Sequence, residues 1–408
     1  MKRILTVIIF SLVVTVAKAQ TPAQNDGDRY IESDVIPLAG KKGFSFETRA
    51  GDFMLKPFVL VQTSVKMNYY DDEGLELADQ DNIANSGFEI GNALIGFSGK
   101  AFTRLTFNIT LNAAQSGDAL LQQAWFDVNL KDELRFRVGK FKTPFNQAYL
   151  VTLGETLFPS LPVSLTAPVN IPYSLNSVNP AFATGFDLGA QMHGVISQKL
   201  EYRLGIFNGT GIGVNGARKT LSDDLGIPSL LYAARIAFMP QGAMPTHQGN
   251  SDDLNSNRWL IALSTSYNVE ANWQASNDFR AGLELAYLYH RWYFAGEAYF
   301  MQMKFTRKQA IAKPYNFLGG YIQGGYFLTD KMQLAARYDF LNRNSLDTNG
   351  FLNLPAIGIN YFVAGYNLKL QTMYQYLGRW GHKDQLARDN DDVGLAQHAV
   401  QMMLQFSF

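Results

Sequence analysis

The sequence predicts an all-β protein, a transmembrane antiparallel β-barrel of sixteen strands. Three observations carry that expectation. From about residue 55 to the final residue, apolar and polar side chains alternate in short stretches, the period at which strand side chains change faces. After Ala19 no window approaches about eighteen uninterrupted apolar residues, so no membrane helix is expected. Connections between the stretches are alternately short and long, as when turns lie on one rim of a membrane barrel and loops on the other.

The stretch Glu133 to Phe145, ELRFRVGKFKTPF, has the alternation at its clearest. Leu134, Phe136 and Val138 fall on one face, and Arg135, Arg137 and Gly139 on the other. A soluble sheet can carry one such strand; the repetition of the pattern is what points to a barrel.

In chain order, Met1 to Ala19 reads as a cleavable secretory signal. Lys2 and Arg3 are followed by the apolar run Ile4 to Val16 and by Ala17-Lys18-Ala19 before Gln20. Residues 20–51 form a polar lead-in with a short pairing segment at Phe44 to Thr48, and 52–408 form the barrel. In the first barrel strand, 55–70, Val59, Val61, Val65, Met67 and Tyr69 oppose Gln62, Ser64, Lys66 and Asn68. The second covers about 87–98. In the third Leu105, Phe107, Ile109 and Leu111 oppose Arg104, Thr106, Asn108 and Thr110, and the fourth lies near 122–130. The strand from Glu133 is the fifth.

Further strands are expected near 184–196, 199–208, 231–239, 258–269, 278–289, 292–305, 316–328, 331–342, 354–363, 366–377 and 397–408. Sixteen is even, as bacterial outer-membrane barrels require. Short connections such as Asn129 to Glu133, Tyr289 to Trp292 and Leu328 to Lys331 belong to the turn rim. Pro240 to Arg258 is the exception, a long connection where the alternation calls for a turn. In the last strand His398, Val400, Met402, Leu404, Phe406 and Phe408 form an apolar face, opposite Gln397, Gln401, Gln405 and Ser407. A soluble chain end that apolar would need a cover; in a membrane, lipid supplies it.

Composition agrees. The 408 residues contain no cysteine, so an exported chain must hold together by packing and strand pairing. Lys and Arg number 35, as do Asp and Glu; losing Lys2, Arg3 and Lys18 with the signal leaves 32 against 35. That balance does not suggest a nucleic-acid binder. The 29 Phe, 20 Tyr and 35 Gly suit aromatic girdles and tight strand corners.

Seven segments carry a family resemblance. VGKFKTPF (138–145), FDLGAQMHG (186–194), EYRLGIFNGTG (201–211) and YAARIAFMPQG (232–242) resemble the phosphate-selective porin family, the O and P type. So do GGYIQGGYFL (319–328), LAARYDF (334–340) and GINYFVAGYNLKLQTMYQYL (358–377), in order over roughly 44–408. The resemblance implies a homotrimer in the outer membrane whose long third loop, Asn146 to Ala183, folds into the lumen as a constriction. Phosphate or other anions are the solutes it implies, and terminal Phe408 resembles the sorting signal of outer-membrane barrels.

The chain departs from the family where an arginine-rich run usually opens the second strand, here Phe88-Glu89-Ile90-Gly91-Asn92, and at Phe186, where arginine is usual. The candidate constriction has a single charged residue, Glu155, and no Lys or Arg. Its prolines, Pro159, Pro162, Pro168, Pro172 and Pro180, would stiffen a plug without adding backbone donors; the alternative is a loop packed on the wall or on a neighbouring subunit.

Face parity assigns nine cations to the lumen: Lys66, Arg104, Arg135, Arg137, Arg203, Arg235, Arg280, Arg337 and Lys369. It assigns six acids there as well, Asp127, Asp187, Glu201, Glu284, Glu297 and Asp339. Lys140 and Lys142 have the opposite parity and are expected to snorkel at the membrane rim. The expectation is a porin passing small hydrophilic solutes with a mild anion preference. The competing reading is a surface anchor or adhesin with a plugged lumen.

No enzyme is expected, because His193 and His290 have no Ser or Asn spacing that makes a triad. The acidic runs Asp71-Asp72-Glu73, Asp223-Asp224, Asp252-Asp253 and Asp389 to Asp392 read as solvated loop tips. The glycines of 209–213 follow no βαβ pattern, so no nucleotide site is expected. No cofactor or metal is expected either.

Overall fold

Alternating side chains give a strand two chemically different faces, and a sheet closed on itself can keep those faces in two different solvents. The computed structural model describes residues 35–40, 43–70, 86–167, 181–217, 229–249, 254–271, 276–305, 314–342, 351–379 and 397–408. A hairpin comes first: β1 (Val35–Gly40) pairs with β2 (Gly43–Thr48), from Val35↔Thr48 to Gly40↔Gly43. The sixteen barrel strands follow. They are β3 (Phe53–Tyr70), β4 (Gly87–Ala101), β5 (Leu105–Asn112), β6 (Leu121–Lys131), β7 (Leu134–Lys142), β8 (Phe186–Ile196), β9 (Leu200–Phe207) and β10 (Leu231–Phe238). The second half comprises β11 (Asn257–Ala271), β12 (Ser276–Tyr289), β13 (Trp292–Phe305), β14 (Tyr315–Phe327), β15 (Met332–Asn342), β16 (Phe351–Ala364), β17 (Leu368–Arg379) and β18 (Gln397–Ser407).

Each barrel strand pairs antiparallel with the next, and β18 returns to β3 from Gln397↔Tyr70 to Ser407↔Leu60. Closure leaves no strand edge for water or a second chain to engage. The expected strands map one to one onto β3–β18. The hairpin contains the expected pairing segment at 44–48, but β1 was not anticipated. Its sequence, VIPLAG, has a proline and no clean alternation, so no period marks it. β2 meets the barrel only at Phe46↔Leu55 and Glu47↔Met54. There Phe44 stacks on Phe408, ring centroids 5.8 Å apart.

The two faces separate as the alternation requires. On β18, Val400, Met402, Leu404 and Phe406 are exposed, while Gln401, Met403 and Gln405 are buried. Leu263, Ile322 and Ile357, more than 60% exposed, continue the outward apolar belt on β11, β14 and β16. Burial of the inward side chains is uneven around the ring. On the β10–β17 side they join one apolar cluster with Leu157, Phe158, Leu165 and Phe182 from the connection between β7 and β8. Gly139 marks a tight crossing on the opposite side, at φ +128°, where a Cβ would collide with the Ala124 carbonyl oxygen. Only glycine tolerates both that conformation and that approach.

The signal peptide, most of the lead-in, Pro168, Pro172, Pro180 and the four acidic runs lie outside the described residues.

Candidate functional site

The connection from β7 to β8 contains two one-turn helices, α1 (Gln147–Leu150) and α2 (Val163–Thr166). The first N–H groups of a helix have no acceptor within it. Here carboxylates of the wall accept from them. Ala148 N–H donates to Glu297 on β13 (2.6 Å), while Val163 and Ser164 donate to Asp339 on β15 (2.5 and 3.1 Å). Negative charge at these ends also suits the direction of the peptide dipoles. Tyr321 and Tyr299 donate to the same Glu297 carboxylate at 2.6 and 3.0 Å.

Carbonyl groups of the connection meet the opposite sign. Arg337 donates to Ser160 O (2.9 Å), its guanidinium 4.6 Å above the Phe158 ring. Lys369 donates to Thr156 O (3.2 Å) and Arg280 to Phe182 O (3.0 Å), and Arg235 reaches Gln147 Oε1 (2.7 Å). Neutral amides complete the set, with Asn360 donating to Leu157 O (2.8 Å) and Gln405 to Gly154 O (3.0 Å). All these wall side chains lie on the face opposite the apolar belt. Four of the nine lumen-assigned cations thus bond the connection.

Six of the nine stand in ion pairs. Lys66 pairs with Glu89 (2.7 Å), Arg135 with Asp132 (2.7 Å), Arg137 with Asp127 (2.8 Å) and Arg203 with Glu201 (2.9 Å). Arg235 pairs with both Glu284 (2.8 Å) and Glu201 (2.7 Å), and Arg280 with Asp278. Arg137 also lies 4.0 Å above the Trp125 ring, and His193 Nε2 is 2.8 Å from the same Asp127 oxygen. Glu89 and Asp278 had escaped the parity count. Both stand near the start of a strand, where alternation is too short to read, and only the cross-strand register reveals them.

Several placements differ from the expectation. Arg104 is exposed in the tight turn before β5, not on the wall. Asp187 is buried and holds the next loop, accepting from Gly209 N–H (2.5 Å) and Thr210 Oγ1 (3.3 Å). Neither Lys140 nor Lys142 snorkels. Lys140 is buried where loop residues close over it, donating to Ile212 O (2.6 Å) and Asn215 Oδ1 (2.5 Å). Lys142 donates to Val151 O (2.7 Å), its ammonium 5.6 Å from the Tyr149 ring. Burial also pushes the Tyr149 phenol up, so it stays a neutral hydroxyl.

The constriction candidates divide similarly. Pro162 is buried, and its carbonyl accepts from Leu165 N–H (3.1 Å) at the start of α2. Pro159 is half-buried beside Phe158. Glu155 ties to the overlong connection from β10 to β11, which now has a physical reason. Thr152 N–H donates to Thr246 O (3.1 Å), and Gln248 N–H donates to Glu155 O (2.9 Å). Thr246 Oγ1 adds a bond to Glu155 Oε2 (3.1 Å), and Gln248 Oε1 accepts from Leu157 N–H (2.8 Å). The extra residues let a turn-rim connection reach one that starts from the loop rim.

Beside these segments a cavity of ≈ 1870 Å³ stays open on the β3–β9 side. Its wall includes Asn92, Asn112, Arg137, Lys142 and Arg203, and its other side is Leu153 to Glu155.

A family model for phosphate-selective porin O and P matches residues 61–408. The chain belongs to this porin family. It is therefore an outer-membrane channel protein rather than an enzyme. An uncharacterised protein of Aquifex aeolicus (strain VF5) is 20% identical over 306 residues, covering 71% of this chain and 69% of that protein. Among solved structures, the outer-membrane channel DcaP of Acinetobacter baumannii superposes with a TM-score of 0.53 at 11% identity, over 91% of this chain and all of that one. The OmpF–daunomycin complex of Salmonella typhi gives 0.53 at 12%, over 87% and 98%. At such identities the porin neighbours establish the fold alone.

Proposed function

We propose that this porin is a water-filled pore for small hydrophilic solutes, narrowed by the 146–183 loop within its lumen and mildly selective for anions. The observation that carries this is the set of bonds from inward-facing side chains to the loop backbone, beside an open cavity. Solute would pass between the loop and the β3–β9 wall.

The anion preference is mild because the cations are mostly paired. In water two charges 4 Å apart interact by only about 1 kcal/mol, and salt screens beyond about 10 Å at 0.1 M. Phosphate filtering needs a row of cationic donors at the narrowest point, and the 146–183 loop has neither Lys nor Arg.

Planar-bilayer recording tests the reading. Stepwise conductance is expected, with a small reversal potential of anionic sign in a KCl gradient. Replacing Arg135 and Arg137 together by Ala should shift it toward cations, since Asp132 and Asp127 lose their guanidinium partners. A strongly cation-selective wild type would contradict the charge assignment, and an inserted but silent barrel would favour a plugged anchor.

Delivery through the Met1–Ala19 signal, a sorting role for Phe408 and assembly as a homotrimer belong to the same proposal. Deleting Phe408 should leave the barrel poorly inserted. Besides the sorting role, the deletion removes the residue whose backbone exchanges bonds with Val59 (3.2 and 3.3 Å) and whose ring stacks on Phe44. Normal outer-membrane levels with heat-resistant oligomers would overturn that expectation.

A further inference from the structure

We infer that the cavity binds hydroxylated carboxylates, the class of sugar acids, in preference to simple anions or neutral sugars. This rests on the channel reading above and adds a solute class to it.

One part of the argument is a directed chain of amides. Asn112 Nδ2 donates to Asn92 Oδ1 (3.1 Å), and Asn92 Nδ2 to Gln62 Oε1 (2.8 Å). Gln62 Nε2 donates in turn to Gln405 Oε1 (2.8 Å), and Gln405 Nε2 to Gly154 O (3.0 Å). The chain crosses β5, β4, β3 and β18 and ends on the loop. A primary amide has two N–H donors and two acceptor lone pairs. At Asn92 these bonds take one donor and one lone pair, leaving one of each. Asn92 is part-exposed and, with Asn112 and Asn108, lines the cavity. A hydroxyl both donates and accepts, so a polyhydroxylated solute can use both. Chloride and acetate offer acceptors alone, and phosphate near neutral pH has at most two hydroxyl donors.

The other part is charge. Lys142 lines the same cavity, and its one hydrogen bond among the described residues goes to a neutral carbonyl, Val151 O. Arg137 and Arg203, also on the cavity wall, are each held by a carboxylate, Arg137 through two donors to one Asp127 oxygen and Arg203 bidentate to Glu201. Lys142 thus differs from Arg137 and Arg203 in having no carboxylate partner among the described residues, and with Lys56 and Lys331 it gives the cavity wall ammonium groups suited to a carboxylate. A cavity lined by both amides and ammonium groups favours a solute that carries hydroxyls and a carboxylate.

The test is block of single-channel KCl current by four probes at one pH: glucuronate, acetate, glucose and inorganic phosphate. Glucuronate should half-block at a concentration about tenfold below acetate and glucose, the effect of a few added hydrogen bonds. Lys142→Met should raise the half-block concentration for glucuronate and leave glucose unchanged. Asn92→Ala together with Asn108→Ala should bring glucuronate to the level of acetate; insertion of each variant is read from its own current steps. Equal block by acetate and glucuronate overturns the hydroxyl face, and tightest block by phosphate overturns it in favour of a plain anion site. Equal block by glucose and glucuronate overturns the role of Lys142. Absence of any conductance overturns the channel reading itself and the inference with it.

Discussion

Excising Leu153 to Thr166 and rejoining the loop is expected to raise single-channel conductance severalfold. This segment supplies Leu157, Phe158 and Leu165 to the apolar cluster, which also contains wall residues Tyr299, Phe317 and Tyr321. On the proposed reading it fills the side of the lumen facing the open cavity, so current would be limited by loop bulk and not by the sixteen-strand circumference. Barrel integrity should survive, because strand-to-strand pairing runs unbroken around the ring and includes no loop residue. The wall charges that lose loop partners, Arg337, Lys369 and Asp339, would then face water, so no unpaired charge stays buried. The measurement is conductance in planar bilayers, with heat-modifiable gel migration confirming a folded barrel. Unchanged conductance through a folded barrel would place the segment outside the current path.

The strands and their faces were legible in the sequence because both follow from a period of two, a local property. The last strand gave its lipid face from eleven residues. What stands across the barrel interior was not legible, since no local period encodes it. Gln405 bonds the carbonyl of Gly154, 251 residues away, and Lys369 bonds that of Thr156, 213 residues away. Parity placed Arg235, Arg280, Arg337 and Lys369 on the inward face and then treated them as wetted pore charges. Contact with the loop makes them holders of its backbone and side chains instead. The same blindness hid the reason for the long 239–256 connection. Its length was visible, but its partner lies in a different connection. Lys140 and Lys142 failed for a related reason: parity says which face a side chain leaves from, not whether a loop closes over it.

Replacing Arg235 by Ala is expected to be among the most destabilising single changes in the wall, by about 3–5 kcal/mol. Its side chain is 2% exposed and that of Glu284 is fully buried. Arg235 Nε donates to Glu284 Oε2 (2.8 Å), Nη1 to Glu201 Oε1 (2.7 Å) and Nη2 to Gln147 Oε1 (2.7 Å). Glu201 keeps its bidentate Arg203 after the change, but Glu284 is left as a buried carboxylate with no cation. That uncompensated charge, more than the lost bonds, sets the cost. A second consequence is local: Gln147 opens α1, so the start of the loop loses its tether to β10. The comparison that isolates the cause is Arg235→Leu combined with Glu284→Leu, which removes both charges and keeps the volume apolar. This pair should recover most of the lost stability, because a buried ion pair contributes little over well-packed apolar side chains. Urea unfolding of the barrel in lipid vesicles, followed by tryptophan fluorescence, gives both numbers. A single variant within about 0.5 kcal/mol of the wild type, the range of surface substitutions, would mean that water reaches Glu284 and that this side of the lumen is wetter than its packing indicates.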